Sequence, residues 1–314
     1  MPSSPHIRIL MCTRNGAEYL QAQLDSFLTQ SHADWSLWIS DDGSTDTTGA
    51  ILKAFRTRNP GRDIRIFDGP GQGAAANFLS LMERCPAEPG GLVALSDQDD
   101  VWLPEKLARA AAAIAAAPGA GQGRWPVAYA TAQILSDARL NRRRPSRPVR
   151  TGPSFGNALV QNILSGNSLV LNPAMLALVQ RTLPPRGVPS HDWWIYQIVT
   201  GAGGQAIYDS EPSLIYRQHR TNTLGGNRGI PAIRYRMAMV WEREYIGWIR
   251  ANVAALQAAG DALTPQNRAL LHRFADGIGQ GGLRRPRLLR QLGVRRQNAT
   301  GAALTSLLAT LGRV

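Results

Sequence analysis

Four short apolar runs alternate with amphipathic segments over the first 116 residues, and this alternation limits the fold more than any other property of the chain. The runs are Ile7 to Cys12, Trp35 to Ser40, Asp63 to Phe67 and Leu92 to Leu95, and each reads as a strand. Between and after them, Ala17 to Thr29, Thr45 to Arg58, Ala74 to Arg84 and Leu103 to Ala116 read as helices; in the first, Leu20, Leu24, Phe27 and Leu28 share one face. Strands separated by helices pair in parallel through right-handed crossovers, so the pattern predicts a three-layer α/β/α domain with a mostly parallel sheet. Open sheets of this kind bind ligands beyond the carboxyl ends of their strands. Those ends are therefore where chemistry is expected.

The second half is less regular. Val127 to Leu135 reads as one strand, Asn141 to Arg150 as an Arg/Pro-rich loop, and Ser168 to Leu171 as a strand after the turn Ser165-Gly166-Asn167. Trp193 to Thr200 reads as a helix, Gln205 to Gln218 as two short strands, and Ala232 to Gln257 as a long helix mixing aromatic residues with Arg.

Acidic residues cluster at two of the strand ends. Asp97, Asp99 and Asp100 follow Leu92 to Leu95 within Ser96-Asp97-Gln98-Asp99-Asp100. Carboxylates this close repel one another unless a cation lies among them, and an all-oxygen site suits Mg2+ or Mn2+. A solvated turn capping the helix near Pro104 is the alternative. Asp41-Asp42-Gly43-Ser44-Thr45-Asp46 follows the second strand, where its acids could accept from a base or a ribose hydroxyl; Ser44, Thr45 or Asp46 could equally cap the next helix. Thr13-Arg14-Asn15-Gly16-Ala17-Glu18 follows the first strand, with Arg14 a counter-charge for a diphosphate. Gly69-Pro70-Gly71-Gln72-Gly73-Ala74 superficially matches a dinucleotide fingerprint, yet it follows the third strand and lacks the acid that would bind ribose. It reads instead as a donor-site loop containing Gly73, with Asn77 on the helix it opens.

In this order, and together with Ser165-Gly166-Asn167-Ser168, His191-Asp192-Trp193-Trp194 and Tyr216-Arg217-Gln218-His219, these segments resemble the family 2 glycosyltransferases of the A-type nucleotide-diphospho-sugar fold over about residues 7–222. The resemblance is nearest to bacterial rhamnosyltransferases of surface-polysaccharide (O-antigen) assembly. It implies an inverting, metal-dependent transfer of a sugar, with L-rhamnose from a dTDP donor as the expected case, to a polysaccharide or lipid-linked acceptor. UDP- or GDP-sugars are the alternative donors. The resemblance places Thr13, Arg14, Asn15, Glu18, Asp41, Asp42, Gly73, Asn77, Asp97 and Gln98 around the nucleotide-sugar, with Asp99 and His219 at an Mg2+ or Mn2+ ion. Asp192 would be the general base, and Gly166, Asn167, Trp193 and Trp194 would face the acceptor, the two tryptophans serving either as a sugar platform or as core packing. A nucleotidyltransferase would carry an early Gly-rich signature with Arg and Lys, which Thr13-Arg14-Asn15 is not.

Charge divides the chain. Residues 225–314 hold 14 Arg, no Lys and four acids, a net +10, whereas residues 1–224 carry 21 basic and 18 acidic side chains, a net +3. A catalytic region over 1–224 is therefore expected, with a nucleotide half to about 120 and an acceptor half beyond it, followed by a basic helical region over 225–314. Arg284-Arg285-Pro286-Arg287-Leu288-Leu289-Arg290 suits a solvated helical face, an anionic membrane surface or a polyanion. No nucleic-acid motif accompanies it, so nucleic acid is not an expected partner. Cys12 and Cys85 make no disulfide framework or zinc spacing, and Met1 to His6 lacks a signal-peptide layout. A cytoplasmic protein, peripheral on the inner face of the bacterial membrane, is the expectation.

Overall fold

A computed structural model describes residues 4–119, 125–183, 187–219, 244–278 and 280–312. The predicted alternation appears as β1 (Ile7–Thr13), α1 (Leu20–Leu28), β2 (Trp35–Asp41), α2 (Thr48–Arg58), β3 (Ile64–Asp68), α3 (Ala74–Arg84), β4 (Leu92–Ser96), a two-residue β5 (Val101–Trp102) and α4 (Lys106–Ala115). Then come β6 (Val127–Thr131), β7 (Ile134–Asp137), β8 (Arg144–Pro145), α5 (Phe155–Ala158), β9 (Val170–Leu171), α6 (Pro173–Arg181), α7 (His191–Gly201), β10 (Gln205–Asp209) and β11 (Leu214–Gln218). The C-terminal helices among the described residues are α8 (Glu244–Ala258), α9 (Pro265–Ala275), α10 (Arg284–Gln291) and α11 (Ala299–Thr310).

Seven strands form the main sheet in the order β10-β6-β9-β4-β1-β2-β3, parallel except for β9, which runs against both its neighbours. β1 is buried along its whole length, with Ile7, Ile9, Leu10 and Met11 all 0% exposed. Its side chains alternate between two cores: Ile9 and Met11 pack on the face covered by α1, α2 and α4, while Leu10 and Cys12 pack on the face covered by α3, α6 and α7. Each such fully buried side chain contributes about 1.5–3 kcal/mol. The strand order reverses between β1 and β4, so a crevice opens there at the strands' carboxyl ends.

The small sheet β5-β11-β7-β8 was not anticipated. The expected strand Val127 to Leu135 is in fact two strands in different sheets. After Thr131 the chain leaves the main sheet, held by a Thr131 Oγ1 contact to Ser213 Oγ at 2.7 Å, and β7 then pairs with β11. Ser168 likewise closes a 3-10 turn (Gly166–Ser168) before β9 begins.

The expected boundary near residue 224 and the first part of the long helix fall at residues 220–243, outside the described residues. Beyond it, the C-terminal helices are no detached appendage: Tyr245, Ile249, Leu256, Phe274, Leu289 and Val294 join the hydrophobic cluster that contains Phe155, Ala158 and Trp193. Tyr245 also donates to Val160 O at 2.6 Å.

Candidate functional site

The three carboxylates after β4 lie together: an oxygen from each of Asp97, Asp99 and Asp100 falls within 4.8 Å of the others. Their surroundings differ. Asp100 is wholly buried, accepting from Asn167 Nδ2 at 2.6 Å and from the Arg217 backbone N–H at 3.2 Å, so it braces the turn against β11. Asp99 Oδ2 meets His219 Nε2 at 2.7 Å, and the Asp99 carbonyl accepts from Arg217 Nε at 2.9 Å. Tyr19 lies over both partners, its ring centroid 4.7 Å from that of His219 and 4.7 Å from Arg217 Cζ. Burial pushes the Asp97 carboxyl up to about 8, reinforced by the negative charges of Asp99 and Asp192 and opposed by Lys106. Burial, with Asp99 and Asp97 beside it, also raises Asp100 well above the usual carboxylate range. A crowded all-oxygen set whose charges resist ionisation together fits a hard divalent cation.

Sequence reasoning missed Lys106. It is 1% exposed, donates to Asn167 O at 3.1 Å and stands over the Trp102 ring at 4.6 Å. Burial lowers its ammonium to about 7, against the pull of Asp100. The signal was available: Lys106 occupies the same helical stripe as Ala110 and Ile114, both buried.

The first two strands contribute a second group. Thr13 and Asp41 are directly paired in register, and Asp41 accepts from Thr13 Oγ1 at 2.8 Å, Ser44 Oγ at 2.6 Å and Ser44 N at 3.0 Å. Asn15 adopts the left-handed conformation (φ 48) and accepts from Thr45 N at 2.8 Å, tying the two loops together. Asp46 accepts from Thr48 N at 3.0 Å just ahead of α2, whose N-cap is Thr47. Arg14 is an exposed cation at this edge, its guanidinium 3.8 Å from Asp42, and Glu18 is exposed beside Tyr19.

Several expected ligand contacts are instead engaged inside the protein. Asp42 is 3% exposed, and both its oxygens accept backbone N–H groups of the glycine loop, Gly71 at 2.6 Å and Gly73 at 2.8 Å. Both glycines have positive φ, 68 and 90, which a side chain would resist. Asn77, 1% exposed, is clamped to Ser40 by two hydrogen bonds of 2.5 and 3.0 Å. Gln98 grips the Arg14 backbone from both sides, accepting at 2.9 Å and donating at 3.0 Å. Asn167, buried, joins Asp100 to Gln133, whose Nε2 donates to it at 2.6 Å. Of the two readings of Trp193 and Trp194, the structure has core packing: Trp194 is 0% exposed, and Trp193 is buried with its indole N–H donated to Ala158 O at 2.6 Å. A helix packed on the sheet turns both indoles into core.

Asp192 stands in the first turn of α7. Its Oδ2 accepts from Gly166 N at 3.0 Å and its Oδ1 from Trp193 N at 2.7 Å, so the backbone aims the carboxylate while leaving it part-exposed. His191 beside it is buried, stacks on Phe78 with centroids 4.0 Å apart, and is shifted downward by that burial, hence neutral. The Gly166 N–H holds Asp192 while the side chain of the next residue, Asn167, donates to Asp100, so one turn links Asp192 to the acidic cluster.

The parallel sheet, with acidic residues at the carboxyl ends of β2 and β4, has the architecture of the A-type α/β class. Residues 8–155 match the model of glycosyl transferase family 2. The chain is 25% identical over 255 residues to the dTDP-rhamnosyl transferase RfbG of Shigella flexneri, covering 79% of this chain and 84% of that protein. The fold is similar to that of TarS 1-349 of S. aureus, solved with UDP-GlcNAc (TM-score 0.54, 14% identity, 85% of this chain and 86% of that one). It is also similar to the mannosyltransferase PcManGT of Pyrobaculum calidifontis, solved with GDP-Man and Mn2+ (TM-score 0.52, 19% identity, 99% and 85%). Over residues 8–155 the chain carries a glycosyl transferase family 2 match, and it is a glycosyltransferase enzyme that uses a nucleotide-sugar in glycan synthesis.

Proposed function

We propose that the enzyme transfers L-rhamnose from dTDP-L-rhamnose, with inversion, to a polysaccharide or lipid-linked oligosaccharide of the bacterial surface. The observation that carries the chemistry is the 166–167 turn, where the Gly166 N–H holds Asp192 and the side chain of Asn167 holds Asp100 of the acidic cluster. The acceptor hydroxyl gives its proton to Asp192 as its oxygen attacks the anomeric carbon. The bond from that carbon to the diphosphate breaks on the opposite side, and the nucleoside diphosphate leaves with the electron pair. One base and no covalent nucleophile give inversion. Asp97 and Asp99, with His219 beside Asp99, would hold Mg2+ or Mn2+, which when bound neutralises charge on the departing diphosphate. Thr13, Asn15 and Asp41 would face the base and ribose, and Arg14 the diphosphate. Asp42, Gly73, Asn77, Gln98, Gly166 and Asn167 act at one remove, holding those groups in place.

The sugar rests on the likeness to RfbG, which spans most of both chains. A thermal-shift panel of dTDP-, UDP- and GDP-sugars with Mn2+ tests it: dTDP-L-rhamnose should give the largest shift, and a larger shift with another sugar would replace the donor.

The C-terminal region supports an anionic lipid surface as partner. On α11 and its C-cap, Leu304, Leu307 and Leu311 are 40%, 56% and 62% exposed at one helical spacing, and Leu283 is 83% exposed. The Gly282 N–H donates to Thr310 O at 2.8 Å, which brings Leu283 beside the end of α11. Arg284, Arg287 and Arg290 are exposed on the adjoining α10. Leucines rimmed by arginine match an interfacial surface that meets acyl chains and anionic headgroups together. No helix among the described residues is long and apolar enough to cross a membrane.

A further inference from the structure

A cleft of about 240 Å³ opens beside the catalytic crevice, and its far wall comes from the C-terminal region. The strap Ser146 to Val149, the loop Gln161 to Ser165, Tyr208, and Gln297 with Asn298 enclose it. We propose that this cleft is the acceptor subsite, holding one sugar ring of the glycan, with residues 297 and 298 as a wall that selects it; the inference rests on the transferase reading above.

Position is the first argument. Ser165 lines the cleft, and the N–H of the next residue, Gly166, donates to Asp192 Oδ2 at 3.0 Å. Gln133, also on the lining, donates to Asn167, which in turn donates to Asp100. The cleft therefore adjoins the turn that holds Asp192 and braces the acidic cluster.

The lining chemistry is the second. The lining combines the polar residues Ser146, Asn162 and Tyr208 with the apolar Pro148 and Val149. A pyranose offers both kinds of surface, hydroxyls at its edge and C–H groups on its face. Among the lining residues Arg147 carries the only full charge and there is no carboxylate, so a cationic ligand or metal is disfavoured. The volume lies below the ~300–1,000 Å³ that encloses drug-sized molecules, a scale suited to a single ring rather than a long segment.

Gln297 supplies the third. It is 8% exposed, and its Oε1 accepts from Arg150 N at 3.0 Å, Thr151 N at 2.8 Å and Thr151 Oγ1 at 3.0 Å. Three donors on one oxygen fix the amide's orientation and direct Nε2 the other way. Nε2 is buried without a hydrogen-bond partner among the described residues, on a residue that lines the cleft. The segment is firmly seated. Gln297 N donates to Gln161 Oε1 at 2.9 Å and Asn157 Nδ2 to Arg295 O at 2.8 Å, while a Cβ on Gly156 would stand 2.6 Å from Gly293 O.

The test uses full-length protein carrying Val149→Cys, with Arg147→Cys as a second position on the exposed side of the strap. Cys12 and Cys85 are buried, so N-ethylmaleimide applied after folding modifies the introduced thiol selectively. Binding of octyl glucoside, galactoside, N-acetylglucosaminide and rhamnoside below their micellar concentrations is followed by saturation-transfer NMR, and dTDP binding by calorimetry. At least one glycoside should bind the unlabelled protein, and the label should weaken it by about tenfold or more while leaving dTDP affinity within about twofold. Unchanged glycoside affinity after labelling at either position, or no glycoside binding before it, overturns the subsite. Failure of the transferase reading is distinct: no nucleotide-sugar would bind, labelled or not.

Discussion

Replacing Gly166 by alanine should uncouple catalysis from donor binding. An added Cβ would lie 2.7 Å from His191 Nε2, 3.2 Å from its Cε1 and 3.4 Å from Asp192 Cβ. The imidazole has nowhere to go, being 7% exposed and stacked on Phe78. Restoring an ordinary separation of ~3.5 Å or more therefore needs a shift of about 1 Å in the 165–168 turn or the start of α7. Either movement disturbs the hydrogen bond from Gly166 N to Asp192 Oδ2. Overpacking of this kind costs about 1–3 kcal/mol, and misplacing a reacting group by about 1 Å costs about a hundredfold in rate. Stability should fall by roughly 2–4 °C for each kcal/mol in a chain of this size. The assay is nucleoside diphosphate release at saturating donor, with donor affinity from calorimetry. We expect kcat to fall by roughly 30- to 100-fold with donor Kd nearly unchanged, because Thr13, Asn15 and Asp41 are untouched. A folded variant with wild-type kcat, or one whose donor affinity falls as far as its kcat, would refute the reasoning.

Asp192→Asn should lower turnover by about 10²–10⁴-fold while keeping donor binding in calorimetry; near-normal turnover removes Asp192 as base. Asp99→Ala should weaken donor binding measured with Mn2+ far more than binding measured with chelator, and the role fails if wild-type binding is indifferent to metal. Metal should also stabilise the fold in a pH-dependent way. Asp97 titrates near 8, above its unfolded value, so its proton supports the metal-free fold fully below about pH 4 and that support is lost as pH rises through about 8. Lys106 is depressed to about 7, so its contribution is present above about pH 10 and lost as pH falls through about 7. A cation replaces the Asp97 proton, and the gain in Tm with Mn2+ should therefore be larger at pH 8 than at pH 6. Equal gains at both pH values contradict the site. Leu307→Asp with Leu311→Asp should reduce flotation with phosphatidylglycerol vesicles at low salt, and a wild-type protein that stays unbound there ends the membrane reading.

Local pattern alone located the strands and helices of the first 116 residues and the acidic loops at their ends. A buried parallel strand is an unbroken apolar run and a covering helix is amphipathic, so both leave marks within a few residues. The acids after β2 and β4 could be assigned to strand ends for the same reason. What pattern could not supply was orientation. Asp41 and Asp42 are adjacent and chemically identical, yet one stays part-exposed beside Thr13 and the other is buried beneath two glycine N–H groups. Trp193 and Trp194 were equally suited to a platform or a core until α7 packed against the sheet. Lys106 became part of the acidic site only because α4 turns it toward Asn167. The basic C-terminal region stands apart in the sequence by its charge, and in the fold Val294 and Gln297 join it to residues more than a hundred positions earlier. The sequence by itself determined which elements form over the first 116 residues and where along the chain their acidic groups lie, since periodicity and turn chemistry act over a few residues. Tertiary structure alone decided which of those groups meet a substrate and which brace the protein, since burial and hydrogen-bond partners are set by segments distant in the chain.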